Sequence, residues 1–179
     1  DEYIGVLPDA PQSFGYFLRI RIFDKVPFKN VYYLNGHATD LEEECTRYTS
    51  LLSQFPTDIV CLGIGENGHI AFNDPDVANF NDHKLVKIVK LDHVCRQQQV
   101  NEKCFETLEQ VPTEALTLTI PALLKAKWMF CIVPFKNKSQ AVYRTIHGDI
   151  SEKCPASILR RKEKSSLYLD TESAQLLNL

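Results

Sequence analysis

The stretch CLGIGENGHIAFNDP, Cys61 to Pro75, decides the fold. It opens inside an apolar run, DIVCLGI (58–64), that reads as a short strand buried on both faces, as strands of a parallel sheet are. Gly63, Gly65 and Gly68 then follow as G-x-G-x-x-G, the spacing of a dinucleotide-binding loop. Such a loop needs a helix opening directly after it, so that a pyrophosphate meets the helix N-terminus. Here the residues after Gly68 are His-Ile-Ala-Phe-Asn-Asp-Pro. Pro75 lacks a donor and pushes Asp74 out of helical geometry, while Asn and Asp favour turns. Nor is there a clean acidic residue at a strand end about 20 residues on, where a ribose would be held. The glycines instead give freedom to an irregular loop at the carboxyl end of a central strand. In open α/β sheets that edge is where ligands bind.

The flanking sequence alternates between the two periods. Leu41, Cys45, Tyr48, Leu52 and Phe55 share one face of a helix, with Asp40 as N-cap, Glu43 in the capping-box position and Pro56 as the stop. Residues 85–91, 115–120, 128–135 and 165–170 read as strands. Residues 93–109 and 139–146 read as helices, with a short helix at the C-terminal end. The alternation predicts an α/β fold: a three-layer, open, mostly parallel sheet with helices on both faces, Rossmann-like, in a single domain over 1–179. The run RRKEK (160–164) reads as a solvated surface turn, with a targeting signal as the alternative.

A net charge of −3 supplies no global field for nucleic acid or a membrane surface, so an anionic substrate needs local basic groups. No apolar run is long enough to span a bilayer, and DEYIGVLPDA (1–10) lacks the basic and apolar regions of a signal peptide. Among the six cysteines no two form C-x-x-C, which excludes a zinc knuckle or thioredoxin motif. Cys45, Cys61 and Cys131 read as core, and the set implies a reducing compartment, the cytoplasm.

Two places could carry chemistry. His69 follows a buried strand through a glycine turn, with the amide of Asn67 two residues before it and the carboxylate of Asp74 five after. An acceptor on one ring nitrogen fixes the tautomer and leaves the other free to move a proton. The alternative is an ordinary satisfied histidine. Lys136 and Lys138 stand between a strand and a helix start, where backbone N–H groups, helix dipole and ammonium suit a phosphate. The alternative is two exposed lysines in a loop.

The segments DEY (1–3), LNG (34–36), GIGENGHIAFNDP (63–75), VPTEALTLT (111–119) and NKSQAV (137–142) occur in an order that resembles the glucosamine-6-phosphate deaminase (isomerase) family. That family is related to 6-phosphogluconolactonase and ribose-5-phosphate isomerase. The resemblance runs over the whole chain and is most specific at GHIAFN (68–73). It implies an enzyme, a deaminase and isomerase with hydrolytic loss of ammonia, that turns glucosamine 6-phosphate and water into fructose 6-phosphate and ammonia in amino-sugar metabolism. It implies no cofactor and no metal, a sugar-phosphate ligand, and leaves a homo-oligomer open. Matched residue by residue, Asp1 would move a proton between C2 and C1, and His69 would assist ring opening. Asn67 and Asp74 would flank His69, Gly65 and Gly68 would shape the substrate loop, and Lys138 would bind phosphate. The family has an aspartate where Asn67 stands and a glutamate where Asp74 stands. Its phosphate-binding arginine falls at Asn101 or Glu102 here, with Arg96 and Lys103 nearby but unmatched. The chain starts without methionine, and the family's upstream phosphate loop finds no counterpart. The resemblance therefore implies that N-terminal βα units are missing and that apolar surface beside the strand at 58–64 is uncovered. Competing readings are a lactonase, which would use His69 to activate water without Asp1, and a non-catalytic sugar-phosphate-binding regulator.

Overall fold

A computed structural model describes residues 1–178. The strands form two three-stranded sheets. In one, β1 (Glu2–Tyr3), β4 (Glu114–Leu118) and β3 (Val86–Lys90) pair antiparallel in the order β1-β4-β3. In the other, β2 (Ile59–Leu62), β5 (Trp128–Val133) and β6 (Ser165–Leu169) pair parallel in the order β2-β5-β6. The chain has the α/β fold, and its parallel strands are the apolar runs DIVCLGI, WMFCIV and SSLYL. The strands at 86–90 and 114–118 leave that sheet for the antiparallel one. Helix α4 (Ile120–Leu124), with Thr119 as N-cap and Pro121 in the first turn, follows β4 after that single residue and leads into β5 through residues 125–127.

Helix α1 (Phe14–Leu18) is opened by Ser13, whose hydroxyl accepts from the Tyr16 backbone N–H at 3.1 Å. Helix α2 (Leu41–Gln54) starts where its cap predicts: the Asp40 carboxylate accepts from the Glu43 backbone N–H at 2.9 Å. Leu41, Cys45, Tyr48 and Leu52 pack against Val86 and Leu116. A second core, of Ile64, Ile70, Met129, Cys131, Val133 and Val142 among others, lies on one face of the parallel sheet, partly under α5 (Ser139–His147). Tyr3, Phe72, Val89, Cys95, Phe105 and Val111 form a third.

Four details differ from the sequence reading. Strand β2 is not buried on both faces: Ile59, Cys61, Trp128, Ile132 and Tyr168 are exposed on the side of the parallel sheet opposite its core, so Cys61 is not a core residue. Helix α3 (His93–Asn101) ends eight residues early, because Lys103 takes a left-handed φ of 60° and Phe105 turns inward to the third core. After β6 the chain forms turns, held by the Asp170 carboxylate accepting from Ser173 N at 2.7 Å, in place of a helix. The loop after Gly68 is irregular but far from loose. Ile70 is buried in one core and Phe72 in another, so burial worth about 1.5–3 kcal/mol each pins it from two sides. Asn73 adds bonds from its amide to the carbonyls of Ile70 and Leu118, both at 2.9 Å.

Candidate active site

The pinned loop presents His69 to a set of polar groups gathered from three segments. Nδ1 of His69 lies 2.8 Å from Asn67 Oδ1 and 2.9 Å from Asp74 Oδ1. Both partners are acceptors, so Nδ1 carries a proton, and in the neutral ring Nε2 is the nitrogen with a free lone pair. The Asn67 amide is oriented on both ends. Its oxygen also accepts from the His69 backbone N–H at 2.9 Å, and its NH2 donates to Asp74 Oδ1 at 2.9 Å and to Asp92 Oδ2 at 2.8 Å. Asp92, immediately beyond β3, also caps α3 by accepting from Cys95 N.

Asp74 is fully buried. Burial alone would raise its pKa, but the hydrogen bond and charge of His69, the Asn67 amide and the Asp92 backbone N–H together hold it below the ordinary aspartate value. The stability this carboxylate contributes is present above about pH 3.9 and is lost as pH falls through its lower folded value. Asp74→Asn should therefore unfold more readily than the wild type at neutral pH, with the gap closing on acidification. Denaturant titrations at a series of pH values measure this, and a gap that widens in acid refutes the assignment of charge.

Two glycines are structural necessities here. A Cβ on Gly65 would collide with the imidazole of His69, and one on Gly68, whose φ is 94°, would stand 2.8 Å from Cys154 Sγ. Gly65→Ala should displace the ring and lower any His69-dependent turnover by about tenfold or more, since misplacing a reacting group by about 1 Å can cost about 10²-fold. Unchanged kinetics in that variant would show that the ring position is immaterial.

Lys138 is buried, with its side chain 8% exposed, and its Nζ lies 3.1 Å from Glu102 Oε1. Lys136 opens the same short turn and is exposed. The turn leads into α5, whose N-terminus has no side-chain cap. Glu66 ties this turn to the histidine loop: its carboxylate accepts from Asn137 Nδ2 at 2.7 Å, and its backbone N–H donates to Gln98 Oε1 at 3.0 Å. Gln98 in turn donates to Glu102 Oε1 at 2.9 Å. Residues 65–69, the end of α3 and the turn before α5 are thus joined in one hydrogen-bond network, most of it at least partly buried.

Of the residues singled out in sequence, the structure brings together Gly65, Asn67, Gly68, His69 and Asp74, and joins Lys138 to them through Glu102, Gln98 and Glu66. Asp1 is exposed and makes no hydrogen bond or ion pair among the described residues, although Tyr3 of the adjoining strand packs its ring on Phe72 at 5.2 Å. Asp92, Cys95 and Gln98 carried no signal beyond Asp92 standing before a helix. The His69, Asp74 and Cys95 ligand-type atoms lie within 4.8 Å of one another. Burial, then the charges of Asp74 and Asp92, push the Cys95 thiol up. A metal-binding sulfur must be deprotonated, so this trio fits a hydrogen-bonded cluster better than a metal site. Arg96 is spent on the backbone carbonyls of Leu108 and Val111.

Residues 5–168 match the family described as glucosamine-6-phosphate isomerases/6-phosphogluconolactonase. A glucosamine-6-phosphate deaminase of Bacillus cereus is 42% identical over 176 residues, which are 98% of this chain and 65% of that protein. The chain thus spans about two thirds of the length of that curated relative. A solved monomeric glucosamine-6-phosphate deaminase superposes with a TM-score of 0.91 at 36% identity, covering 98% of this chain and 72% of that one. A 6-phosphogluconolactonase from Trypanosoma cruzi superposes at 0.74 with 17% identity, covering 99% and 71%, a likeness of fold alone. No helix among the described residues is long and apolar enough to cross a membrane. The match along the chain, and the closeness of the superposition, place it in the glucosamine-6-phosphate isomerase/6-phosphogluconolactonase family.

Proposed function

We propose that this chain carries the sugar-phosphate site of an enzyme that isomerises and deaminates glucosamine 6-phosphate, giving fructose 6-phosphate and ammonia. The observation that carries the reading is the His69 imidazole, clamped at Nδ1 with Nε2 free and linked by a polar network to a buried lysine at a helix start. Opening a pyranose ring takes a proton from the anomeric hydroxyl and returns one to the ring oxygen. A neutral imidazole with one free nitrogen performs both transfers. Moving a proton from C2 to C1 of the open sugar converts the amino aldose into a ketimine. Water then adds at C2 and ammonia leaves, so the step needs a carboxylate but no oxidant or organic cofactor. Asp1 is the proposed carboxylate, from the family match alone. The phosphate, held by Lys138 and the uncapped start of α5, is non-reacting binding energy that positions the sugar. Six cysteines without a disulfide among the described residues suit the reducing cytoplasm.

The B. cereus relative and the superposed structure with TM-score 0.91 are both deaminases, which favours this reading over ester hydrolysis. The protein should be assayed for ammonia release from glucosamine 6-phosphate, hydrolysis of 6-phosphogluconolactone, and binding of both. Ammonia release with little lactone hydrolysis is expected. Lactone hydrolysis alone, or binding of either compound without turnover, overturns the proposal.

A further inference from the structure

Lys138 already holds an anion of the protein's own. Its ammonium is buried, and the one carboxylate within reach of it among the described residues is that of Glu102. Glu102 is the C-cap of α3, and its side chain is 39% exposed. One of its oxygens takes bonds from both Lys138 Nζ and Gln98 Nε2. The other has no partner among the described residues. Such a carboxylate can swing into water with little desolvation to overcome. The next residue, Lys103, sits at a left-handed φ of 60°, so the backbone turns away from the helix there.

We propose that Glu102 sets how strongly this site grips phosphate, by occupying the place on Lys138 that a phosphate oxygen takes. The inference rests on reading Lys138 as the phosphate-binding cation. Two anions gathered on that one ammonium repel each other at close range, so an incoming phosphate oxygen displaces Glu102. Its departure frees a second donor: Gln98 Nε2, on a side chain whose oxygen stays anchored to the Glu66 backbone N–H at 3.0 Å. Lys138 and Gln98 then form the phosphate clamp, and Glu102 is its resident competitor. The consequence is a site tuned to moderate phosphate affinity, which discriminates between a sugar phosphate and free phosphate through its contacts to the sugar.

The test uses the whole chain and inorganic phosphate as ligand, titrated calorimetrically at low ionic strength, where screening is least. Glu102→Gln keeps the hydrogen-bonding shape and removes the charge. It should tighten phosphate binding about tenfold, the scale of one nearby like charge at a partly exposed site. The gain should vanish when Lys138 is also replaced by Met. Glu102→Ser provides a second variant with the competitor removed. Phosphate binding that is unchanged or weaker in both Glu102 variants overturns the proposal, as does a gain that persists without Lys138. These titrations do not depend on turnover, so a failure to release ammonia refutes the deaminase reading and leaves this one standing.

Discussion

Replacing His69 with alanine should lower kcat for glucosamine 6-phosphate by about 10²-fold or more, the usual contribution of a positioned general acid–base. The expectation follows from how much of the structure is devoted to this one ring. Gly65 leaves room for it, and the buried Asp74 and the doubly anchored Asn67 hold its Nδ1. Both acceptors lie within 2.9 Å of that nitrogen, and Asp92 fixes the amide from behind. Because the ring does not hold the phosphate, KM should change much less than kcat. His69→Gln, which keeps a polar side chain of similar reach, should be as inactive as the alanine variant, since an amide has no pKa near neutral pH and cannot act as a general acid or base. Both substitutions also take a hydrogen bond from the buried Asp74 carboxylate, so the unfolding temperature should fall as well, and the kinetics are compared at a temperature where every variant is folded. Steady-state kinetics on the closed-ring sugar decide the matter, and normal turnover by either variant removes His69 from the mechanism.

The sequence made the local half of this site readable and left the distant half dark. His69, Asn67 and Asp74 stand close enough in sequence that a turn alone suffices to bring them together, and Pro75 with Asn73 announces that turn. The loop's rigidity was not readable, because it comes from Ile70 and Phe72 entering two different cores, and only tertiary packing creates those cores. Asp92, Gln98 and Glu102 join the site because α3 is brought against the glycine loop. Nothing in their local pattern distinguishes them from a helix cap and two surface polar residues. The fold shows the same division. Helix α2 was legible from its cap, its period and Pro56, all of them local. The end of α3 was not, because the inward turn of Phe105 is rewarded by contacts with Tyr3, whose ring meets it at 5.5 Å, from the other end of the chain. The exposed face of β2 was misread for a related reason: an apolar run records that a strand has two apolar faces, not what lies against each of them.

Replacing Lys138 with alanine should weaken glucosamine 6-phosphate by about 10- to 100-fold in kcat/KM, and leave the binding of unphosphorylated glucosamine almost unchanged. The range corresponds to loss of a hydrogen bond to a charged group, about 1.5–3 kcal/mol. Most of the loss should appear in KM, with kcat falling too if the phosphate helps to hold C1 and C2 in register with the proton-transfer groups. The ion pair with Glu102 places this prediction at the lower end of the range, because the wild-type ammonium exchanges one anion for another and gains only the difference. It also predicts asymmetry between the two partners. Loss of Lys138 leaves Glu102 half-exposed and free to take up water, so the fold should tolerate it. Loss of the Glu102 charge leaves a buried ammonium short of a partner, which phosphate is then well suited to supply. Comparing kcat/KM for the phosphorylated and free sugars in the Lys138→Ala variant is the measurement. Equal weakening of both sugars would mean that Lys138 supports the architecture of the site and does not hold the phosphate.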